Sequence, residues 1–404
     1  MSLDPVIALE IGTSQVRALV GEDREDGSIM ITSLGETPSR GVRKGQVVDF
    51  DNALACVRHV LERAEKDGNL QVELVHLLVT GGHIQSQANV GQTVIQDASG
   101  EIQEEDVEQA CELARAIRLP AQHERLHSIV QHYLVDDRRV DNPIGLEGAR
   151  LSVSSLIISM RELYVRNAVR VVHSARVEVD DLAFSGLCAA QAVLTPAQKQ
   201  NGVLVLDLGG GTTDYLAYAN REIAAAGCLD LGGDHLTNDL AQGLNLPTAQ
   251  AERLKQAEGC VWPPEGPNDR LLSLPADGSF AGRTVRTSDI HLILHARMSE
   301  LLELVRDEIE SKDLAAHFGA GVVLTGGGAQ LRGVCELVTD VFRLPCCLGR
   351  PRGFSGLALV TDGPSYAAPL GLVRFAIQAQ RREARPATWW GKLRDMVGRG
   401  GGAS

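Results

Sequence analysis

The feature that most restricts what this chain can become is a glycine turn between two apolar runs, met three times at distant points in the sequence. The clearest copy is VLVLDLGGGTTDYLAY, residues 203–218, where three consecutive glycines separate two strand-like stretches. A second copy, GVVLTGGGAQLRG at 321–333, has the same strand and triple glycine, then helical character from near Leu331. The third is reduced: Val6–Leu9, the turn Glu10-Ile11-Gly12-Thr13-Ser14, then Val16–Val20. Short apolar runs bounded by glycine read as strand, turn, strand. Glycine also lets a backbone come close to an anion, so that its N–H groups can hold a phosphate. One such turn alone reads as a plain β-turn; three together point to a phosphate site assembled from separate parts of the chain. No GxxxxGK[ST] motif and no GxGxxG after a strand occurs, so a Walker-type or dinucleotide site is not supported.

Length and composition narrow the frame. A chain of 404 residues exceeds one ordinary domain, so several folding units are expected. With 44% hydrophobic and 23% charged residues it can bury a core, which excludes a disordered or collagen-like chain. Aromatics are only 4% against 42 glycines, so the core is aliphatic and α/β architecture is expected. A net charge of −13 argues against general nucleic-acid binding. No run of 18 apolar residues occurs, and Asp4 and Glu10 stand where a signal peptide would need a basic start. The eight cysteines include no CxxC and are expected to be reduced; Cys346 and Cys347, after Pro345, suit a strand start. His123 with His127, and His291 with His295, have i,i+4 spacing but lack an HExxH glutamate, so structural histidines are expected.

Periodicity predicts helices over Asn52–Lys66, Gln103–Ile117, Arg161–Val172 and Tyr366–Gln380, with strands at Val72–Val79 and Leu151–Met160. Trp262–Thr287, rich in proline and glycine, is expected to be a long irregular loop, and Arg381–Pro386 a tether. Asp207 precedes the triple glycine and Thr212, Thr213 and Asp214 follow it. A carboxylate at a strand end beside a phosphate turn suits Mg²⁺, which keeps several waters and takes one or two protein carboxylates. The Thr212, Thr213, Thr13 and Ser14 hydroxyls can bond phosphate oxygens.

The ordered set ALEIGTSQVR, LDLGGGTTD and VLTGGGAQLRG resembles the phosphate-1, phosphate-2 and adenosine motifs of the actin-like ATPase superfamily. Within it the chain is most similar to the FtsA family, through LAFSGLCAAQAVLT at 182–195, CLDLGGDHLTNDLAQGL at 228–244 and SYAAPLGLVRFA at 365–376. The resemblance implies a two-lobed ribonuclease H-like α/β fold with ATP and Mg²⁺ between the lobes. Gly12, Thr13 and Ser14 would face the β- and γ-phosphates from one lobe, and Gly209, Gly210, Gly211, Thr212 and Thr213 from the other. Gly232 and Gly233 match the next nucleotide-contacting turn, Glu252 and Lys255 the adenosine-side pair, and Gly326, Gly327 and Gly328 the passage under adenine. Asp207 would hold Mg²⁺ through water and, with Glu10, position the hydrolytic chemistry. Actin-like proteins generally carry Asp where this chain has Glu10, so at most slow hydrolysis is expected, with nucleotide acting mainly as an assembly switch.

The family division implies subdomain 1A over 1–83 and 160–195, with a return helix at 364–380. An inserted subdomain 1C is expected at 84–159, 2A at 196–227 and 306–363, and 2B at 228–305. In 1C, IQEEDVEQACELARAI, RLHSIVQHYLVDD and DNPIGLEGARLSVSSLIIS resemble the family's insertion, and its open sheet edges suit polymer contacts. After a linker at 381–387, residues 388–399 read TWWGKLRDMVGR. On a helical projection Trp389, Trp390, Leu393, Met396 and Val397 share an arc of about 120°, with Lys392 and Arg394 outside it. Residues 381–404 carry a local charge of +4, so this segment reads as an in-plane helix on an anionic membrane surface. By resemblance the protein would polymerise at the cytoplasmic face of the inner membrane at the division site, tethering FtsZ by its C-terminal tail on 2B. The alternatives are a PilM-like scaffold of type IV pilus assembly, against which the tail counts, and a superfamily kinase or chaperone, against which Glu10 and the insertion count.

Overall fold

A computed structural model of the chain describes residues 4–97, 99–262, 269–276, 281–357 and 363–384. The expected membrane helix, with Trp389, Trp390, Lys392, Leu393, Arg394, Met396 and Val397, lies outside the described residues. Two sheets of like construction organise the molecule. The first has six strands in the order β11 (Glu178–Phe184), β6 (Leu74–Val79), β1 (Val6–Ile11), β2 (Gln15–Asp23), β3 (Ile29–Pro38) and β19 (Phe354–Gly356). The second has five, in the order β14 (Glu222–Leu229), β13 (Thr213–Ala219), β12 (Val203–Leu208), β17 (Val322–Thr325) and β18 (Cys346–Leu348). In each, three antiparallel strands form one side and two parallel strands extend the other, and the first sheet alone adds β19, parallel to β3. The chain therefore builds one topology twice, and the glycine turns fall at matching corners.

Helices cover the sheets. In the first half these are α1 (Phe50–Gly68), α3 (Glu162–Ser174), α4 (Ser185–Val193) and α10 (Ala367–Ala384); in the second, α5 (Pro196–Asn201), α6 (Gly233–Gly243), α7 (Thr248–Glu258), α8 (Thr287–Glu310) and α9 (Val334–Phe342). Asp49 caps α1 by accepting from the Asn52 N–H at 3.2 Å, and Asn69 ends it in the left-handed region. Its Ala53, Val57, Val60, Leu61 and Ala64 bury one stripe against β1–β3. All six residues of β12 are buried, as expected of a central strand covered on both faces. The consequence is that Asp207 rides on a strand with no wet side.

The insertion forms its own four-stranded antiparallel sheet, β7 (Gln85–Val94), β10 (Arg150–Arg161), β8 (His123–Val135) and β9 (Arg138–Val140), backed by α2 (Glu104–Arg115). It leans on the second half as well as the first. Ser86 Oγ donates to the Ala226 carbonyl and accepts from the Ala226 N–H at 2.9 Å, Gln131 Nε2 donates to the Ile223 carbonyl at 2.9 Å, and Glu222 meets both His132 and Arg139.

Two expectations need correction. The segment expected as loop from Trp262 to Thr287 contains a hairpin, β15 (Leu271–Leu274) with β16 (Arg283–Arg286), and α8 begins at its end. Pro275 and Gly282 lie between the two strands, each only four residues long, and the abundance of proline and glycine in this stretch of sequence masks their pattern. The helix expected to stop at Gln380 runs on to Ala384, because no breaker occurs before Pro386 and Arg381 is anchored to Asp23. A minor hairpin, β4 (Val42–Arg43) with β5 (Gln46–Val47), approaches the first glycine turn.

The paired histidines are structural. His291 Nε2 and His295 Nδ1 meet the carbonyls of Glu258 and Val261 at 3.1 and 2.7 Å, and His123 Nδ1 meets Ser159 Oγ at 3.3 Å. His127 Nε2 accepts from the Phe184 N–H at 3.0 Å, beside the Phe375 ring, and burial pushes its pKa down to about 4. The unfolded chain binds this proton near pH 6.5, so stability is full above that value and is lost as pH falls toward 4. The drop attributable to His127 should approach about 3 kcal/mol. Urea unfolding between pH 7 and 4.5 should show this slope, flattened in His127→Gln; an equal slope in both would refute it.

Candidate functional site

The glycine turns meet. A cleft of about 740 Å³ between the two halves is lined by Gly12, Thr13 and Ser14 from the first and by Asp207, Gly209, Gly210, Thr212 and Thr213 from the second. Gly232, Gly233, Glu252, Lys255, Gly326, Gly327, Gly328 and Glu10 complete the expected set around the same space. Gly211 is the exception. It packs beneath Thr13 and the backbone of Lys44, where a Cβ would stand 2.6 Å from Thr13 Oγ1, so it lets the halves approach and does not line the cleft.

Local hydrogen bonds explain why each turn is tight. The Gly12 N–H donates to the Gln15 carbonyl at 3.0 Å, and the Gly209 N–H to that of Thr212 at 2.9 Å. The start of α6 grips the second turn, with Gly233 N–H on the Gly209 carbonyl at 2.9 Å and Asp234 N–H on that of Gly210 at 2.7 Å. Gly326 has φ +84° and lies against Asp207 and Leu208, a position that tolerates no side chain. Gly327 faces open space.

Three carboxylates sit at the floor. Asp214, on β13 opposite Asp207, accepts from Thr80 Oγ1 at 2.7 Å across the cleft. Burial drives the Asp207 pKa well above the usual carboxylate range, and the charges of Asp214 and Glu10 add to the effect. Burial likewise raises Asp214 to about 6 and Glu10 upward. Desolvated carboxylates facing one cavity are costly unless a cation joins them. Among the described residues no group of three His, Cys, Asp or Glu is arranged to bind a metal directly. An ion that keeps most of its water, as Mg²⁺ does, fits Asp207 and Asp214.

On the far side, Lys255 Nζ donates to the Gly233 carbonyl at 2.9 Å and Thr237 Oγ1 at 2.8 Å, and pairs with Glu252 at 2.7 Å. Glu252 also accepts from Thr237 and from Gln256 at 2.7 Å, so its oxygens are engaged inside the protein. Sequence reading missed Arg17, Thr80, Ser185, Asp234, Gln256 and Arg332, which share the cleft. Thr80 and Ser185 carried a signal: each follows a strand and precedes a glycine, in Thr80-Gly81-Gly82 and Ser185-Gly186. Arg17, Asp234, Gln256 and Arg332 adjoin the singled-out residues in sequence, but nothing in their spacing shows that they face the cleft, which the strand pairings and helix packing decide.

Comparison with known proteins agrees with this layout. Residues 204–371 match the family model "Cell division protein FtsA", and residues 81–159 match "SHS2 domain inserted in FTSA". The chain is 32% identical over 378 residues to the cell division protein FtsA of Escherichia coli (strain K12), covering 92% of this chain and 90% of that one. Among solved structures, a PilM-PilN type IV pilus biogenesis complex aligns with a TM-score of 0.64 at 17% identity, covering 92% of this chain and 98% of its own. MreB5 of Spiroplasma citri bound to ADP aligns at 0.57 and 15% identity, covering 95% and 99%. These two likenesses give the fold, which is the actin-like one with an inserted SHS2 domain. The matched family models, together with identity of this level along nearly the whole length, make the chain an actin-like member of the FtsA family of cell division proteins.

Proposed function

We propose that this chain binds ATP with Mg²⁺ in the cleft, and that occupancy governs its self-association into filaments at the cytoplasmic face of the inner membrane. The observation that carries the reading is the convergence of the glycine turns on one cavity that also holds the desolvated Asp207 and Asp214. The MreB5 structures of the same fold are described as bound to ADP and to AMPPNP. In this chain Thr13, Ser14, Gly210 and Thr212 would donate backbone or hydroxyl hydrogen bonds to phosphate oxygens, Gly12 and Gly209 would shape the turns, and Gly326–Gly328 would pass beneath the base; the Thr213 hydroxyl is already given to the Leu231 carbonyl at 2.8 Å. Bound Mg²⁺ would neutralise phosphate charge, its waters held by Asp207 and Asp214. Hydrolysis would be slow, because Glu10 is paired with Arg17 at 3.1 Å and does not stand free in the cleft.

The subdomain limits given above, 1A, 1C, 2A and 2B, belong to the same reading, with 228–305 receiving the C-terminal tail of FtsZ. No described helix is long and apolar enough to cross a membrane. Attachment would rest on residues 388–399, whose apolar arc and basic flanks suit an anionic surface. One short helix holds weakly, and a filament multiplies it. Sedimentation with anionic vesicles tests the reading: the full chain should pellet, and a chain ending at Arg385 should stay in solution. Equal pelleting of the two would remove the tail from the account and favour a scaffold of the pilus type.

A further inference from the structure

Across the three strands at the cleft wall runs a charged row that begins within the first motif, with Glu10 and Arg17, and continues beyond it to Glu36. Glu10 on β1 stands opposite Arg17 on β2, and Arg17 stands opposite Glu36 on β3. Directly opposed residues of antiparallel strands project to one face, so the three side chains meet. Arg17 is 8% exposed. It donates to Glu10 Oε2 at 3.1 Å, to Glu36 Oε1 at 2.6 Å and to the Ser365 carbonyl at 2.9 Å. Its guanidinium lies 4.4 Å from the centre of the Tyr366 ring, and the Tyr366 hydroxyl closes the set by donating to Glu36 at 2.9 Å. Four partners on three segments leave this side chain one arrangement. Its charge also bears on Asp207, offsetting part of the repulsion from Glu10 and Asp214.

We propose that Arg17 is a positioning residue that makes metal binding conditional on nucleotide: by holding the Glu10 carboxylate in an ion pair, it leaves two carboxylates facing the ion and not three. Two carboxylates and water are a poor Mg²⁺ site alone, and phosphate oxygens complete the coordination. Without the guanidinium, Glu10 turns to the cleft and the three acids take the ion unaided. The inference rests on the Mg²⁺–nucleotide reading above and adds a role to a residue to which that reading assigns none.

The test uses the full chain and Mg²⁺ alone as probe, read by calorimetric titration and by the shift of the thermal midpoint. The unsubstituted chain should show little binding. Arg17→Met should bind Mg²⁺ at least about thirtyfold more tightly, the scale of releasing one buried charge pair. Adding Glu10→Gln should return the variant to the starting affinity, which a merely structural role for Arg17 would not produce. If Arg17→Met does not fold, the Arg17→Met/Glu36→Gln pair removes the second carboxylate stranded by the change and carries the same expectation. Unchanged Mg²⁺ affinity in the folded variant, or tight Mg²⁺ binding by the unsubstituted chain, overturns the inference. A parallel titration with fluorescent ADP and Mg²⁺ separates the readings. No binding to any form ends the nucleotide reading and this inference with it, whereas normal ADP binding with unchanged metal affinity ends the inference alone.

Discussion

Asp207→Ala should cost at least about a hundredfold in affinity for Mg²⁺-ATP, and the nucleotide-free variant should melt later than the parent chain. Both effects have one cause. Asp207 lies on a strand buried along its whole length, and its neighbours Asp214 and Glu10 carry the same charge. Without a cation the ionised form is unfavourable, so removing it stabilises the empty chain by about 2 kcal/mol near neutral pH. The folded pKa is raised, so the gain is full above it, shrinks as pH falls through it, and vanishes below the unfolded value near 3.8. Calorimetric titration gives the affinity and thermal unfolding with and without Mg²⁺-ATP gives the stability. Retained affinity would mean that the Asp207 carboxylate does nothing for the ligand.

A comparable loss, this time of stability, is expected from Gly371→Ala. Gly371 lies on α10 where that helix crosses α4, and a Cβ there would run into the carbonyl of Cys188. The obstacle is backbone, which cannot turn aside, and the core around it is closed: Leu370, Leu372, Val373, Cys188 and Ala189 are all buried. The helices would have to part, so the cost should exceed the usual range for overpacking and reach about 4 kcal/mol. Because α4 begins at Ser185, which lines the cleft, nucleotide affinity should fall as well. The urea midpoint decides the matter; a variant as stable as the parent would show that α10 can ride away from α4 freely.

Residues close in sequence made much of this site readable in advance. Gly12, Gly209–Gly210 and Gly326–Gly328 each announce a turn between apolar runs, and their chemistry is local. What the sequence could not show is which distant side chains face each other once the strands are paired. Arg17 looks like an ordinary strand residue until the β1–β2 and β2–β3 registers set it between Glu10 and Glu36. Gly211 looks like its two neighbours, yet Thr13 and Lys44 close over it from the other half. Glu252 and Lys255 share a helix face as their spacing predicts, but Thr237 from α6 ties both into the protein. The β15–β16 hairpin failed for a different reason, since four-residue strands are too short for alternation to stand out against the prolines around them.

The way Ser86, Gln131, His132 and Arg139 fasten onto β14 has a consequence for anyone trimming the protein. β14 is the outermost member of its sheet, and the Ala226 and Ile223 backbone groups that would otherwise beg for a partner are satisfied by side chains from the insertion. Cutting out 84–159 would bare that rim and invite foreign strands to zip along it. The excised product should clump, and its solubility should return when the rim is blunted at the half-buried Ala224 by Ala224→Lys.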